Sequence, residues 1–233
     1  MSRGVFVTGT DTHVGKTWVS LALVTALKRH GLRVGVMKPI ASGCAQTGGG
    51  LRNDDALQLQ AAANVSLAYE QVNPVTLAPP IAPHVAAREA GTPIDVEALA
   101  GTYRDIAQHC DRVVVEGAGG WRVPLNEHQT LADLVKAMGL PAVLVVSVRL
   151  GCLNHGLLSA EAIRRDGVDL QGWVANRIDP DMARARDNIE ALQARLGTPL
   201  LGVVPYLRAW DPDKAAAALD LTPLGLGQQT SGP

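Results

Sequence analysis

The chain has 233 residues, of which 47% are hydrophobic, and this suits a single α/β domain with a substantial core. Its formal net charge of −1, with no basic run longer than Arg164-Arg165, argues against nucleic-acid and membrane-surface partners. The three scattered cysteines form no C-x-x-C pair, so we expect a reducing, cytoplasmic compartment rather than a disulfide framework or a cysteine zinc site. We expect neither a signal peptide nor a membrane span of about 20 apolar residues.

Short apolar runs alternate with helical patterns along the chain. The runs predict strands at residues 5–8, 34–38, 112–116, 142–148, 172–176 and 200–205. The helical patterns cover residues 16–30, 54–63, 96–109, 131–138, 153–166 and 182–196. Continuous apolar strands are typical of a sheet that is covered on both faces. We therefore predict one α/β domain over residues 1–221, with a doubly wound, mostly parallel sheet, helices on both faces and a P-loop NTPase-like fold; residues 222–233 are expected to form a frayed tail.

The first strand runs into the segment GVFVTGTDTHVGKT, which ends at Gly15-Lys16-Thr17 just before a helix. Backbone N–H groups and the helix dipole attract phosphate there, while Lys16 can reach the β and γ oxygens and the Thr17 hydroxyl can ligate Mg²⁺. The strict G-x-x-x-x-G-K-[ST] motif fails by one place, because Thr10 stands where it requires glycine. We predict a variant phosphate loop; an ordinary βα turn is the alternative.

Two acidic positions are candidates for holding a metal ion opposite Thr17. Glu116 ends the predicted strand of RVVVEGAGG, and the glycines that follow it allow a ligand to approach the backbone. A dinucleotide fingerprint is excluded there because Arg122 stands where it requires glycine. In LRNDDA we expect Asp54 to cap the second helix, which leaves Asp55 as a second Mg²⁺ carboxylate.

A second lysine, Lys38, ends the next predicted strand in VMKPIASG and precedes Pro39, whose φ is fixed. Lys16 and Lys38 would then converge on one edge of the sheet, an arrangement that suits phosphoryl transfer to an anionic acceptor. The polar stretch at 41–50 and the proline-rich stretch at 73–83 are predicted to be long loops that border the site. Simple surface linkers are the alternative for both.

The segment VSVRLGCLNH places a helix start at residues 151–154, where free N–H groups suit a substrate carboxylate. We interpret Cys152 as a small packing residue, because only His155 could serve as a base beside it. The remaining histidines show no metal-ligand spacing.

Nine segments together resemble the dethiobiotin synthetases in order and in spacing, over about residues 4–207. They are GTDTHVGKT, KPIASG, LRNDDA, VNP, APH, VEGAGGW, LGCLNH, GWVAN and LLGVVP. The resemblance implies an ATP-dependent cyclo-ligase of biotin biosynthesis that uses Mg²⁺. It converts 7,8-diaminononanoate and CO2 into dethiobiotin through a carbamate and a carbamic-phosphoric mixed anhydride, releasing ADP and phosphate. It also implies a homodimer.

Carried over residue by residue, the resemblance assigns four groups of side chains and backbone segments. The catalytic residues are Lys16 and Lys38. The metal ligands are Thr17, Asp55 and Glu116. The substrate residues are Thr12, Ser42, Gly151, Cys152, Leu153 and Asn154. The ATP-binding residues are His13, Val14, Gly15, Lys16, Thr17, Trp18, Asp55, Glu116, Gly117, Ala118, Gly119, Asn176, Arg177, Pro205, Tyr206 and Leu207.

Three positions depart from the family pattern: His13 replaces an acidic residue or glycine, Arg177 replaces Asp, and Asn188 replaces a Tyr found in some members. A partition or septum-positioning ATPase is the alternative from another class. Its loop resembles K-G-G-x-G-K-T, whereas Thr10 and Asp11 occupy the early loop here. An amidotransferase-type synthetase of cobalamin assembly is a nearer rival, but the chain has no room for a glutaminase domain.

Overall fold

The structure, a computed structural model, describes residues 4–226. The strands are β1 (Gly4–Gly9), β2 (Val34–Met37), β3 (Ile40–Ser42), β4 (Ala45–Thr47), β5 (Gly50–Arg52), β6 (Val75–Leu77), β7 (Arg112–Gly120), β8 (Ala142–Ser147), β9 (Leu170–Asn176) and β10 (Leu200–Val204). The helices are α1 (Lys16–Arg29), α2 (Asp54–Ala62), α3 (Tyr69–Val72), α4 (Pro83–Glu89), α5 (Val96–Gln108), α6 (Leu131–Met138), α7 (Cys152–Arg165), α8 (Ala185–Leu196) and α9 (Pro212–Ala217). A short 3-10 turn covers Thr222–Leu224.

The central sheet has six parallel strands in the order β10-β9-β8-β1-β7-β2. Because successive side chains of a strand point to opposite faces, β1 sends Phe6 to one face and Val5 and Val7 to the other. Helices α5 to α8 pack on the Phe6 face, and α1, α2 and α9 cover the opposite face. The predicted parallel α/β sheet with helices on both faces is confirmed.

The parallel order brings the carboxyl ends of β1, β7 and β2 side by side at one edge of the sheet. The phosphate loop, Glu116 and Lys38 lie on these three strands or follow them. Strand β7 is longer than predicted, since Gly120 still pairs with Gly9 of β1. Glu116 therefore lies inside a strand rather than at its end.

The two stretches that were predicted as loops contain regular structure, so that part of the prediction was wrong. Strand β3 pairs in parallel with β6, and β4 pairs with β5 in a short hairpin. These strands have three residues each, too few for hydrophobic periodicity to reveal, and the β4 side chains are exposed. Helices α3, α4 and α9 were also missed, and α8 begins at Ala185 rather than at residue 182.

The predicted tail, residues 222–233, overlaps the 3-10 turn, and Leu224 within it packs against the core under α1. Residues 227–233 lie outside the described residues. Within residues 4–226, no helix is both long enough and apolar enough to cross a membrane.

Candidate active site

The ammonium group of Lys16 is hydrogen-bonded to the backbone of its own phosphate loop. Lys16 Nζ donates to the carbonyl oxygen of Asp11 at 2.9 Å, and the Asp11 carboxylate accepts from the Thr12 backbone N–H at 2.7 Å. Arg149, after β8, donates to the same carboxylate at 2.9 Å. The loop is thus fixed both by its own hydrogen bonds and by a neighbouring strand.

Two residues of this loop have left-handed backbone conformations. Gly15 has φ +86°, and a Cβ there would collide with the side-chain amide of Asn176, so only glycine fits. His13 has φ +58°, a conformation that glycine adopts at less cost, although its side chain is exposed. The departure at His13 therefore carries backbone strain at the rim of the site.

A buried ion cluster lies beside the loop. Lys38 Nζ is 2.6 Å from Glu116 Oε1 and 3.0 Å from Asp55 Oδ2. The Thr17 hydroxyl donates to Glu116 Oε1 at 3.0 Å and lies beside the Asp55 carboxylate. Lys38 and Glu116 are almost completely buried, whereas Asp55 is 41% exposed. The sequence predicted all four residues for the site, and the structure brings them together.

The two lysines differ in their electrostatic surroundings. Burial lowers the pKa of Lys16 to about 8 against the opposing attraction of Glu116, and the charge of Lys38 contributes to this lowering. Burial would also lower the pKa of Lys38, but its contacts with Glu116 and Asp55 outweigh burial and raise that pKa above its ordinary value. Burial opposes the ionised form of Asp55 too, yet Lys38 holds the pKa of that carboxyl below its usual range. The cluster therefore keeps Lys38 charged.

The oxygen donors of the cluster fit a magnesium ion. Glu116 Oε2 is buried and has no hydrogen-bond partner among the described residues, and the Thr17 hydroxyl and the Asp55 carboxylate are adjacent. Mg²⁺ prefers hard oxygen ligands and is usually held by one or two carboxylates together with substrate phosphates. No group of three or more His, Cys, Asp or Glu side chains suited to a metal occurs within residues 4–226. The donor set thus fits a metal that is shared with a nucleotide.

A cavity of about 790 Å³ opens over the cluster, and most of the predicted site residues line it. These are Thr12, His13, Gly15, Lys16, Thr17, Trp18, Lys38, Ser42, Asp55, Glu116, Gly117, Ala118 and Gly119. The hydroxyl of Ser42 is buried without a partner among the described residues. A second cavity of about 720 Å³ lies at the opposite ends of the strands, beside Gly4 and Arg112, and no predicted site residue lines it in the described part of the chain.

The residues predicted for the base of ATP form a neighbouring group. Asn176, at the end of β9, donates its amide to the carbonyl oxygen of Val14 at 2.9 Å and so contacts the phosphate loop directly. The Arg177 backbone N–H donates to Val204 at the end of β10, which places residues 205–207 beside it. Arg177 Nε is buried and has no partner within residues 4–226.

The predicted carboxylate site at residues 151–154 lies apart from the cavity, at the start of α7. Gly151 has φ +95°, and the helix begins at Cys152. Cys152 is buried, as expected for a packing residue, whereas the neighbouring Leu150 is 93% exposed. Within one chain, therefore, these residues are not brought into the cavity.

Sequence reasoning missed a group of polar residues behind the cluster. Asn53, not Asp54, caps α2: its side chain accepts from the Ala56 backbone N–H at 3.2 Å. Asn73 and Tyr69 are buried and hydrogen-bonded at 3.0 Å. Asn73 belongs to the VNP segment, but its contacts depend on α3, which no periodicity revealed.

Comparison with known proteins identifies the family of this chain. The AAA domain family matches residues 3–214. A protein of Pseudomonas aeruginosa (strain UCBPP-PA14) named ATP-dependent dethiobiotin synthetase is 53% identical over 223 residues, which cover 95% of this chain and 98% of that protein. The chain belongs to the ATP-dependent dethiobiotin synthetase family. A synthetase of Nitrosospira multiformis with the same name is 48% identical over 97% of this chain and 98% of its own length. The resemblance seen in the sequence and the assignment to an ATP-dependent ligase are confirmed.

Solved structures support the fold of this family member. The septum site-determining protein MinD of Pyrococcus horikoshii matches with a TM-score of 0.55 and 17% identity, over 94% of this chain and 87% of that one. The signal recognition particle receptor FtsY of Elizabethkingia anophelis matches with a TM-score of 0.52 and 15% identity, over 94% of this chain and 65% of that one. At these identities the likeness concerns the fold alone. The predicted P-loop NTPase-like architecture is confirmed.

Proposed function

We propose that this protein forms dethiobiotin from 7,8-diaminononanoate, CO2 and ATP, releasing ADP and phosphate. The observation that carries this proposal is the pair of buried lysines, Lys16 and Lys38, beside Thr17, Asp55 and Glu116 under one cavity. With Mg²⁺ held by the two carboxylates, such a site would present positive charge where a carbamate and a transferring phosphoryl group would both be anionic.

The reaction has three steps. One amine of the substrate adds to CO2 and loses a proton, giving a carbamate. A carbamate oxygen then attacks the γ-phosphorus of ATP, and the bond to the ADP oxygen breaks. The second amine attacks the carbonyl carbon of the mixed anhydride and loses a proton, the ring closes, and phosphate leaves with the carbamate oxygen.

Each lysine has a separate role in this scheme. Lys16, in the phosphate loop, binds the β and γ oxygens of ATP. Lys38 stabilises the negative charge of the carbamate and of the transferring phosphoryl group. Lys38 is held by two carboxylates at 2.6 and 3.0 Å, so its charge is already positioned before the chemistry. Thr17, Asp55 and Glu116 would hold Mg²⁺, which neutralises charge on the phosphates when bound.

The substrate occupies the open side of the cavity. The unpartnered Ser42 hydroxyl and the exposed Thr12 hydroxyl would hydrogen-bond the carbamate or the diamine. Pro80, Ile81 and Val123 give the same cavity an apolar wall, which suits the alkyl chain of 7,8-diaminononanoate. Ile81 is 40% exposed, so this wall is open to a ligand.

We place the substrate carboxylate at residues 151–154 of a second copy of the chain. The N–H groups of Leu153 and Asn154 in the first turn of α7 suit a carboxylate, whereas the Cys152 N–H donates to the Arg149 carbonyl oxygen at 3.0 Å, and this turn lies outside the cavity of its own chain. Leu150, Leu153 and Leu158 are exposed on and beside α7, at 93%, 36% and 56%, and form the kind of apolar surface that a symmetric dimer covers. The homodimer therefore supplies the missing part of the site.

The nucleoside of ATP lies towards β9 and β10. Asn176 Nδ2 is occupied by Val14, which leaves its Oδ1 as an acceptor for the adenine amino group, and residues 205–207 offer backbone groups. The phosphates of ATP lie along His13, Gly15 and Trp18, as far as the glycines that follow Glu116. We further propose that residues 1–221 act as one synthetase domain in the cytoplasm.

A partition or septum-positioning ATPase has less support. MinD is 17% identical in sequence to this chain, whereas the named synthetases are 48–53% identical to it over nearly their whole length. The polar and apolar lining described above also suits a small diamine.

An oxygen-transfer experiment tests the proposed chemistry. Freshly mixed ¹⁸O-labelled CO2 and bicarbonate are supplied with Mg-ATP and the diamine, and the released phosphate is analysed by mass spectrometry at short times. Phosphate carrying one ¹⁸O for each dethiobiotin formed supports attack by a carbamate oxygen. Unlabelled phosphate accompanying labelled dethiobiotin would rule out the mixed anhydride.

A further inference from the structure

Behind the ion cluster, a chain of buried hydrogen bonds joins the strand end that carries Lys38 to the helix that carries Asp55. The Asn73 amide donates to the Lys38 carbonyl oxygen at 2.7 Å, and its own oxygen accepts from the Tyr69 hydroxyl at 3.0 Å. The Tyr69 oxygen in turn accepts from the Asn53 backbone N–H at 2.7 Å, at the start of α2.

These bonds close a ring through the site. Asn53 caps the helix in which Asp55 lies two residues further on, and Asp55 is paired at 3.0 Å with the ammonium of Lys38. Asn73 therefore holds the main chain of Lys38, and Asp55 holds its side chain. The Lys38 backbone N–H also donates to Val72 at 2.7 Å, one residue before Asn73.

We propose that Tyr69 and Asn73 are positioning residues for the reaction, which set the separation between the Lys38 ammonium and the Asp55 carboxylate. This inference rests on the proposed role of Lys38. Neither side chain lines the cavity, so neither touches the substrate in this arrangement.

Burial makes this chain of bonds sensitive to the loss of one member. Asn73 is 2% exposed and Tyr69 is 7% exposed, so water does not readily replace a missing partner. Burial also raises the pKa of the Tyr69 phenol, which therefore keeps its proton and remains a donor to Asn73. Arg52 lies over the Tyr69 ring at 4.1 Å and holds the ring from the outside.

The test is Tyr69→Phe, which removes the hydroxyl and keeps the ring. Displacement of a catalytic group by about 1 Å can cost 10²-fold in rate, so we expect kcat for ring closure to fall by about 10-fold or more. The KM for ATP, measured at saturating Mg²⁺, should stay within about twofold. Tyr103→Phe is the matched control, because Tyr103 is an equally buried tyrosine on α5, beside Gly4 at the far end of β1. Its kcat should remain at the wild-type value.

A double-variant cycle separates positioning from general structural damage. If Tyr69 acts through Lys38, Tyr69→Phe should have almost no further effect on kcat in a Lys38→Met background. Equal losses in both backgrounds, or a Tyr69→Phe kcat within twofold of wild type, would overturn the proposal. If Tyr69→Phe does not fold, Asn73→Ser takes its place in the same cycle.

A second readout does not depend on ring closure. The same chain of hydrogen bonds positions Asp55, one of the proposed Mg²⁺ ligands. ATP binding by Tyr69→Phe should therefore need a several-fold higher Mg²⁺ concentration to reach half of its maximum. An unchanged value would overturn the positioning role. If the wild type binds Mg-ATP but makes no dethiobiotin, the proposed function fails and this binding measurement still decides the inference.

Discussion

Lys38 Nζ lies 2.6 Å from Glu116 Oε1, and both side chains are almost completely buried. The same ammonium is 3.0 Å from Asp55, so one lysine is paired with two carboxylates. Removal of one partner of such a pair leaves a buried charge without compensation. Lys38 therefore contributes to stability as well as to the proposed chemistry. Both the free energy of unfolding and the activity must be measured for variants at this position.

Lys38→Met should lower kcat by at least about 10²-fold, as loss of a preorganised charge does, and should destabilise the fold by about 3–5 kcal/mol. Lys38→Met combined with Glu116→Gln should recover part of the free energy of unfolding, because the almost completely buried carboxylate is removed and only the partly exposed Asp55 is left without Lys38, but should recover no activity. Denaturant unfolding and steady-state kinetics measure the two quantities. Near-normal turnover of Lys38→Met would remove Lys38 from the chemistry.

Asp55→Asn should raise the Mg²⁺ concentration needed for half-maximal activity by about 10–100-fold, since it removes one of two acidic oxygen donors beside Thr17. Asp54→Asn is the matched control, because Asp54 is the neighbouring, exposed residue of the same helical turn. A magnesium titration of each variant at saturating ATP measures the effect. Equal responses of the two variants would exclude a specific role of Asp55 in metal binding.

Asn176→Ala should raise KM for ATP by about 10-fold, because it removes both the amide that holds Val14 and the proposed acceptor for adenine. Asn64→Ala is the control, because it also removes a hydrogen bond between an asparagine side chain and the backbone. This bond, from the Val34 N–H to Asn64, lies at the opposite end of the sheet. ATP titration of both variants checks this. A KM that rises equally in both would point to general destabilisation.

Replacement of Leu150 and Leu158 by Lys should convert a dimer into monomers and raise KM for 7,8-diaminononanoate by at least about 10-fold, because the proposed carboxylate site comes from the second copy. Leu57→Lys is the control on α2, where the leucine is 40% exposed. Sedimentation velocity gives the mass of each species. A monomeric wild type with full activity would contradict the shared site.

Asp133 gives a prediction for stability against pH that is independent of the active site. Its carboxylate pairs with Lys136 at 2.9 Å and accepts from the Thr130 backbone N–H at 2.8 Å, and these contacts lower its pKa to about 2 from 3.8. The folded state therefore holds the proton less tightly than the unfolded state, so this stabilisation is complete above pH 3.8 and is lost as the pH falls through about 2.

Asp133→Ala should accordingly lower the free energy of unfolding by about 1 kcal/mol at pH 6, as loss of a helix-capping group does. The difference from wild type should shrink between pH 4 and pH 2. Urea unfolding at a series of pH values measures it. A difference that stays constant over that range would contradict the assignment.

The site residues that could be predicted from the sequence are those that follow directly from the pattern of strands and helices around them. Lys16 and Thr17 follow a strand and open a helix, and Glu116 lies in an apolar run, so their convergence follows from parallel-sheet geometry. Lys38 was predicted for the same reason.

The features that escaped prediction depend on contacts between distant, weakly patterned segments. Asn73 and Tyr69 lie around a four-residue helix, too short for any periodicity, and their hydrogen bonds reach back to Lys38 and Asn53. Strands β3 and β6 are paired across more than 30 residues and have three residues each. The direct pairing of Lys38 with both carboxylates also could not be foreseen, because spacing alone does not give side-chain distances.

The most direct measurement is to incubate the purified protein with Mg-ATP, bicarbonate and 7,8-diaminononanoate and to follow the products by mass spectrometry. We expect dethiobiotin to appear, with one ADP and one phosphate for each molecule formed, and with no product when ATP, bicarbonate or the diamine is omitted. Absence of dethiobiotin, together with ATP turnover that DNA or lipid stimulates, would contradict the synthetase and favour the partition-type ATPase.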